Sequence, residues 1–469
     1  MVVQRDRPIH IWGWSDPGEA VSVSLNGATG TDTSDKYGRW SVYLPPEPAG
    51  GPYAINITGS SAITLEDVLI GDVWFASGQS NMEMPLKGFP GSAVLKNGPA
   101  EISAAQHPQI RLLFIPHKAS DHPLRDAPGS WTVCTPETAA GFSAVAYFFG
   151  RDLQEKENVP IGLIDSTWGG TVVEAWMSLD ALAADASLMP AFAARARMID
   201  EQAEIPMMIA EEKREDEAAK RSNQPPPHHD WHPDPSSWAP AALFNGMIAP
   251  FVEYPIKGVI WYQGESNSAL DRAALYEKSF PAMIADWRQQ WHEGNFPFLF
   301  VQIANFGSNT SETWSIIREA QRRTLAVANT AMAVTIDIGD PDNVHPADKQ
   351  TVGARLALGA RAIAYGENVE YSGPLFRQAT NESGGMRVWF DHAEGLNSRG
   401  IDPLGFEVAG EEKRFHPAIA KIEGRGILVS SQEVPRPKFV RYGWSNAPVL
   451  NLYNAAGLPA SPFTSLNSY

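Results

Sequence analysis

Four short stretches of this sequence carry residue types that together could perform acyl transfer on a serine. The first is Asp72-Val73-Trp74-Phe75-Ala76-Ser77-Gly78-Gln79-Ser80-Asn81-Met82-Glu83-Met84-Pro85. Val73, Trp74 and Phe75 form an apolar run that reads as a buried strand. The run breaks at Gly78, and Ser80 sits at the centre of the polar cluster that follows. A buried strand, a glycine and then an exposed serine is how an α/β sheet presents a nucleophile. The strand fixes position, the glycine permits a tight turn, and a following helix aims its amides at the site. Most serines after a glycine are turn residues, so the weight rests on what the rest of the chain supplies.

A nucleophilic serine needs a base. His345, in Asp340-Pro341-Asp342-Asn343-Val344-His345-Pro346, lies between an apolar strand around Val334 and a helix that starts near Asp348. An isolated loop histidine is usually structural. Here Asp342 lies three residues earlier, so one loop delivers both imidazole and carboxylate. The carboxylate would hold the ring tautomer and stabilise the imidazolium formed during attack. Acyl transfer also needs donors for an oxyanion. The candidates are the amide of Ser80, the amide of Gly170 in Thr167-Trp168-Gly169-Gly170-Thr171, and the side chain of Gln263 in Tyr262-Gln263-Gly264-Glu265-Ser266-Asn267. Each has a plain alternative, a turn at Gly169-Gly170 and a strand cap at Gln263-Gly264. All of them at strand ends is harder to dismiss.

The elements around these residues alternate in the manner of a parallel sheet. Unbroken apolar runs occur at Ile110–Ile115, Ile161–Asp165, Gly258–Tyr262, Phe298–Gln302 and Ala333–Asp337. Helical patterns lie between them, at Ala144–Leu153, Tyr276–Gln290, Ile316–Val327 and Asp348–Ala364. Such alternation predicts an α/β domain with helices on both faces of a parallel sheet, and ligands beyond the carboxyl ends of its strands. Residues 1–70 read differently. Short alternating strands with Asn-Gly and Pro/Gly turns predict a small N-terminal β-sandwich, a scaffold or a sugar-binding module. β signals return over 371–469. The α/β domain then covers 71–370, with an insertion near 180–240 made of a charged helix and a proline-rich loop. His228, His229 and His232 in that loop, with neighbouring aspartates, could bind a metal. The prolines favour an exposed, lid-like insertion instead.

Composition narrows the function classes. The chain has 469 residues, 43% hydrophobic and 19% charged, with a formal net charge of −17. That describes a folded acidic protein. No basic patch offsets the charge, which argues against nucleic acid and anionic membranes as partners. The single cysteine, Cys134, allows no intrachain disulfide. No apolar run is long enough to span a bilayer, and no signal-peptide core opens the chain. The expected compartment is cytoplasmic if Met1 is the true start, and periplasmic or secreted if a leader has been removed. There are 15 tryptophans, and Trp168, Trp176, Trp231, Trp238 and Trp261 fall in loop-like contexts. Aromatic faces suit sugar rings.

The blocks Gly78-Gln79-Ser80-Asn81-Met82, Trp168-Gly169-Gly170, Trp261-Tyr262-Gln263-Gly264-Glu265-Ser266 and Asp342-x-x-His345 resemble those of the SGNH-type hydrolases. More closely they resemble the sialate O-acetylesterase family of carbohydrate esterases. Gln4–Pro8, Trp12-Gly13-Trp14, Gly38-Arg39-Trp40, Leu243–Ile248 and Tyr371–Pro374 fit the same family, so the resemblance covers nearly the whole chain. It implies an SGNH-hydrolase-like three-layer α/β/α domain with accessory β regions. It also implies removal of acetyl groups from sugar hydroxyls, most often those of sialic acids, without metal or organic cofactor. Carried over by position, Ser80 is the nucleophile, His345 the general base and Asp342 its orienter. Ser80, Gly170 and Gln263 form the oxyanion hole. The wider SGNH pattern has asparagine in its third block where this chain has Gln263-Gly264-Glu265, so Glu265 and Asn81 enter as supporting residues. The surround of Ser80 is not Gly-x-Ser-x-Gly, which disfavours a lipase-type hydrolase. The rival substrate is an acetylated plant polysaccharide such as xylan. The rival of another class is a sugar-binding protein without activity.

Overall fold

Seven strands form the main path of an 11-stranded sheet, and this path carries the candidate site. In the computed structural model they are β1 (Ala62–Gly78), β2 (His107–Phe114), β3 (Thr132–Cys134), β4 (Ile161–Thr167), β5 (Gly258–Tyr262), β6 (Phe298–Gln302) and β7 (Thr330–Val334). The structure describes residues 1–469 apart from 91–93, 228, 230, 231, 233, 271, 308–312 and 469, with backbone alone at 194 and 197–202. The spatial order is β7-β6-β5-β1-β4-β2-β3. Neighbours run parallel, except that β3 is antiparallel to β2. The strand that leads to Ser80 is therefore central, and both its faces must be covered.

The sequence of β1 explains how. Successive side chains on a strand point to opposite faces. Trp74 meets Phe149 on α2 (Ala144–Glu157), the ring centroids 5.0 Å apart. Phe75 meets Trp287 and Trp291 on α3 (Ala273–Trp291) at 6.0 and 5.5 Å. Helix α4 (Trp314–Thr324) packs beside α3, and α5 (Lys349–Ile363) beside α2. Trp74, Trp176, Trp261 and Trp287 are fully buried. Truncating one such side chain typically costs about 3–5 kcal/mol, so these rings hold β1 at a fixed height between the helix layers. The architecture is the expected α/β fold.

Strand β1 is 17 residues long. Its first half pairs with Val2–Gln4 and with Gly50–Thr58, and its second half with β4 and β5. The division expected at residue 70 falls inside it. At the crossover Asp72 is fully buried. Its carboxylate accepts from Arg5 Nε and Nη2 (3.0 and 2.9 Å), Gln4 Nε2 (3.1 Å) and the Tyr365 hydroxyl (2.9 Å). That cluster ties the N-terminal strands to the large sheet. Ile9–Trp14 and Arg39–Leu44 form a two-stranded sheet whose Ile11, Trp40 and Val42 pack on Val23, Ile55 and Val68, giving the small sandwich.

The C-terminal part forms two four-stranded sheets around Val388, Val408, Val429, Tyr442 and Phe463. It also reaches back to the α/β body. The buried Arg318 guanidinium on α4 donates to the carbonyls of Ile303, Ala304, Ser445 and Asn446, at 2.7 to 3.0 Å. Asn446 accepts from the amides of Trp314 and Phe306. A segment far along the chain thus fixes two aromatic residues that border the candidate site.

Within 180–240 the charged helix is Pro190–Arg221. His232 Nε2 lies 2.8 Å from Glu212 Oε1, and His229 Nε2 lies 3.0 Å from Asp216 Oδ1. The other members of the suspected metal loop, His228 and Asp230, lie outside the described residues, as does Trp231. Among the described residues no group of three or more His, Cys, Asp or Glu could hold a metal ion, and no helix is long and apolar enough to cross a membrane.

Candidate active site

The sheet register puts three strand ends on one line. Gly78 pairs with Thr167 of β4 on one side and with Tyr262 of β5 on the other. The chain leaves those ends toward Ser80, Gly170 and Gln263. Gly78 has φ +133°, and a Cβ there would lie 2.2 Å from the Tyr262 carbonyl oxygen, so only glycine permits this turn. Gln79 then locks it. Its amide donates to Tyr262 O (2.9 Å), and its Oε1 accepts from the amides of Gly264 and Ser266, both at 3.3 Å. Ser80 emerges as the first residue of α1 (Ser80–Glu83).

His345 arrives from the loop between β7 and α5. Its Nε2 lies 2.8 Å from Ser80 Oγ, which is hydrogen-bond reach for a base and a nucleophile. Its amide donates to Asn343 Oδ1 (2.9 Å), and Phe89 packs edge-on to the ring at 5.5 Å. Behind the pair lies a buried polar network. Asn81 donates to Glu265 Oε1 (2.6 Å) and to the carbonyl of Val344 (3.0 Å), the residue before His345. The buried ammonium of Lys349 donates to Asn81 Oδ1. Both supporting candidates, Asn81 and Glu265, therefore sit where they tie the serine turn to the histidine loop.

Burial, and then the charge of Lys349, push the His345 imidazole down to about 4. Lys349 is itself pushed down to about 7 by burial, against the opposing pull of Glu265. A histidine acting as a base works in its neutral form, and a lowered pKa keeps this ring neutral in acid where an ordinary histidine would be protonated. The acid limb of kcat/KM for an uncharged acetate ester is expected near pH 4, against about 6.5 for an unperturbed imidazole. A pH–rate profile with tryptophan fluorescence recorded at each pH checks this. A midpoint at the unperturbed value, with the fold intact, would contradict it.

Two residues do not stand where the sequence places them. Asp342 is exposed, and no hydrogen bond joins it to His345 among the described residues. The reason is local. Asp340 bridges to Asn343, and the Asp342 amide donates to Asp340 Oδ1 (3.0 Å), so the turn carries the 342 carboxylate outward. Gln263 is fully buried beneath the site. Its amide nitrogen donates to Thr171 O (3.1 Å) and Asn267 Oδ1 (2.7 Å), which uses both of its hydrogens. It braces two loops and offers nothing to an oxyanion. The amides of Ser80 and Gly170 have no protein acceptor among the described residues. Gly170, at φ +71°, borders the cleft.

The cleft over Ser80 and His345 has a volume of about 690 Å³. Its walls are aromatic: Phe89, Trp168, Trp238, Phe306 and Trp314. Of the loop-like tryptophans, Trp168 and Trp238 line it, whereas Trp176 and Trp261 belong to the core. The structure adds two polar wall residues that sequence reading misses, Glu83 and His117. His117 Nε2 lies 2.8 Å from Glu83 Oε1, and its ring lies flat on Trp168, with centroids 4.3 Å apart and planes at 4°. The only signal for Glu83 is its spacing of three from Ser80 on one helix. His117 carries no local signal at all.

Residues 231–362 match the family described as carbohydrate esterase, sialic acid-specific acetylesterase. The sialate O-acetylesterase of Rattus norvegicus is 32% identical over 513 residues, covering 97% of this chain and 90% of that protein. That of Homo sapiens is 35% identical over 409 residues, covering 78% and 69%. Among solved structures, a carbohydrate acetylesterase from Xanthomonas citri superposes with a TM-score of 0.84 at 39% identity, covering 99% of this chain and 97% of that one.

Proposed function

We propose, from the premise that the chain belongs to the sialate O-acetylesterase family and is a carbohydrate ester hydrolase, that it removes O-acetyl groups from sugars through an acetyl-Ser80 intermediate. The observation that carries this reading is the 2.8 Å contact between Ser80 Oγ and His345 Nε2 at the floor of an aromatic cleft. Ser80 attacks the acetyl carbonyl as its proton passes to His345 Nε2. Negative charge develops on the carbonyl oxygen, between the amides of Ser80 and Gly170. The sugar alcohol leaves with the proton from His345. Water then attacks the acetyl-serine with the same histidine as base, releasing acetate. The tryptophan walls offer flat apolar faces to the sugar ring.

O-acetylated sialic acid is the first substrate we assign, and acetylated xylan its rival. Acetate release is measured from 9-O-acetylated sialic acid, acetylated xylan and an aryl acetate. Release from the sialic acid ester, with little from xylan, is the expected result. Preference for xylan would keep the chemistry and change the substrate. No release from any of the three would contradict the reading.

A further inference from the structure

We propose that Glu83 is a positioning residue that sets the oxyanion loop Trp168-Gly169-Gly170, with His117 holding its carboxylate in place. The proposal rests on the roles given above to Ser80 and Gly170. Glu83 lies three residues after Ser80 on α1, so both side chains project from the same side of the helix. Its two oxygens have different partners. Oε2 accepts from the Gly169 amide at 2.5 Å, and Oε1 faces His117 Nε2 at 2.8 Å.

The consequence follows from counting the polar groups of the loop. The Trp168 amide donates to Gly78 O (3.1 Å), and the Trp168 carbonyl accepts from Thr171 Oγ1 (2.8 Å). The Gly170 carbonyl accepts from Trp238 Nε1 (2.7 Å). The Gly169 amide belongs to Glu83. Among the described residues the Gly170 amide is then the backbone N–H of this loop with no acceptor, and it borders the cleft. Glu83 thereby selects which amide remains for the substrate. It also sets the distance. A Cβ on Gly169 would lie 2.8 Å from Glu83 Oε2 and 3.2 Å from Ser80 Cβ, so the loop is packed close against α1 and a side chain there would displace the Glu83 carboxylate. A bare carboxylate beside a developing oxyanion would oppose the reaction. The Gly169 amide and the His117 ring, itself stacked on Trp168, absorb that charge.

The test compares Glu83→Ala, Glu83→Asp and Glu83→Gln with wild type and Ser80→Ala. The readouts are kcat and KM on an aryl acetate, the rate at which a phosphonate ester modifies Ser80, and the thermal midpoint. The shorter aspartate keeps the charge but withdraws it from Gly169; glutamine keeps the length and one acceptor oxygen. Alanine and aspartate are expected to lower kcat by about tenfold to a hundredfold, with KM within about twofold. The phosphonate rate should fall in the same direction, because the five-coordinate state formed as Ser80 attacks phosphorus develops negative charge on a phosphoryl oxygen at the same donors. Glutamine should recover most of the loss. If the alanine variant fails to fold, the aspartate variant decides. A folded aspartate variant with wild-type kcat and phosphonate rate, beside an inactive Ser80→Ala, would overturn the proposal alone. Full turnover by Ser80→Ala would remove the assignment beneath it as well.

Discussion

Ser80→Ala is expected to remove essentially all acetate release, by about 10⁴-fold or more, on every ester the wild type accepts. The loss follows from position. Gly78 and the hydrogen bonds of Gln79 bring one hydroxyl to His345 Nε2. Ser77, three residues earlier on β1, is fully buried and donates its hydroxyl to the Ser166 carbonyl at 2.6 Å, so it cannot substitute. The fold should survive, because the turn is held by backbone and Gln79 contacts rather than by Oγ. Acetate assay and circular dichroism on the purified variant check both halves. Residual turnover within tenfold of wild type would contradict the assignment.

The second large effect belongs to His345→Ala, expected to cost about 10³-fold or more in kcat. Among the described residues the ring is the group within hydrogen-bond reach of Ser80 Oγ; Phe89 packs edge-on to it, and the His345 amide is anchored on Asn343 Oδ1. Removing it leaves a space between Phe89 and Ser80. Free imidazole added to the variant should enter that space and restore part of the rate, with a dependence on the neutral fraction of the added base. Rate measurements against imidazole concentration at two pH values test this. A variant that loses less than tenfold would show that another group takes the proton.

The strand, the glycine turn and the serine are legible in the sequence because they depend on local pattern. Val73–Ala76 is apolar at every position, as a strand buried on both faces must be, and Gly78 answers to a positive φ. The helices over 144–157, 273–291, 314–324 and 349–363 announce themselves by periodicity, and their order dictates a parallel sheet. What escapes is whatever depends on side-chain direction after a turn. Asp342 and His345 share a loop, yet the Asp340–Asn343 bridge points the carboxylate outward. Gln263 follows its strand at the expected end, yet the competing acceptors Thr171 and Asn267 draw it inward. The Glu83–His117 contact joins residues on separate segments, and no spacing rule reaches across that gap. Lys349 reads as an ordinary first-turn helix residue. Only the packing of α5 against the serine turn makes it a buried amine bonded to Asn81, close to the His345 loop.

The proposed mechanism passes through a covalent acetyl group at Ser80. Wild-type enzyme mixed with excess aryl acetate, quenched in acid within one turnover and digested, should yield a peptide containing Ser80 that carries one acetyl group. The same peptide from Ser80→Ala should carry none, and the burst of aryl alcohol should match the amount of acetylated serine. Turnover with no acetylated peptide, or acetyl on a different residue formed at the rate of turnover, would contradict it.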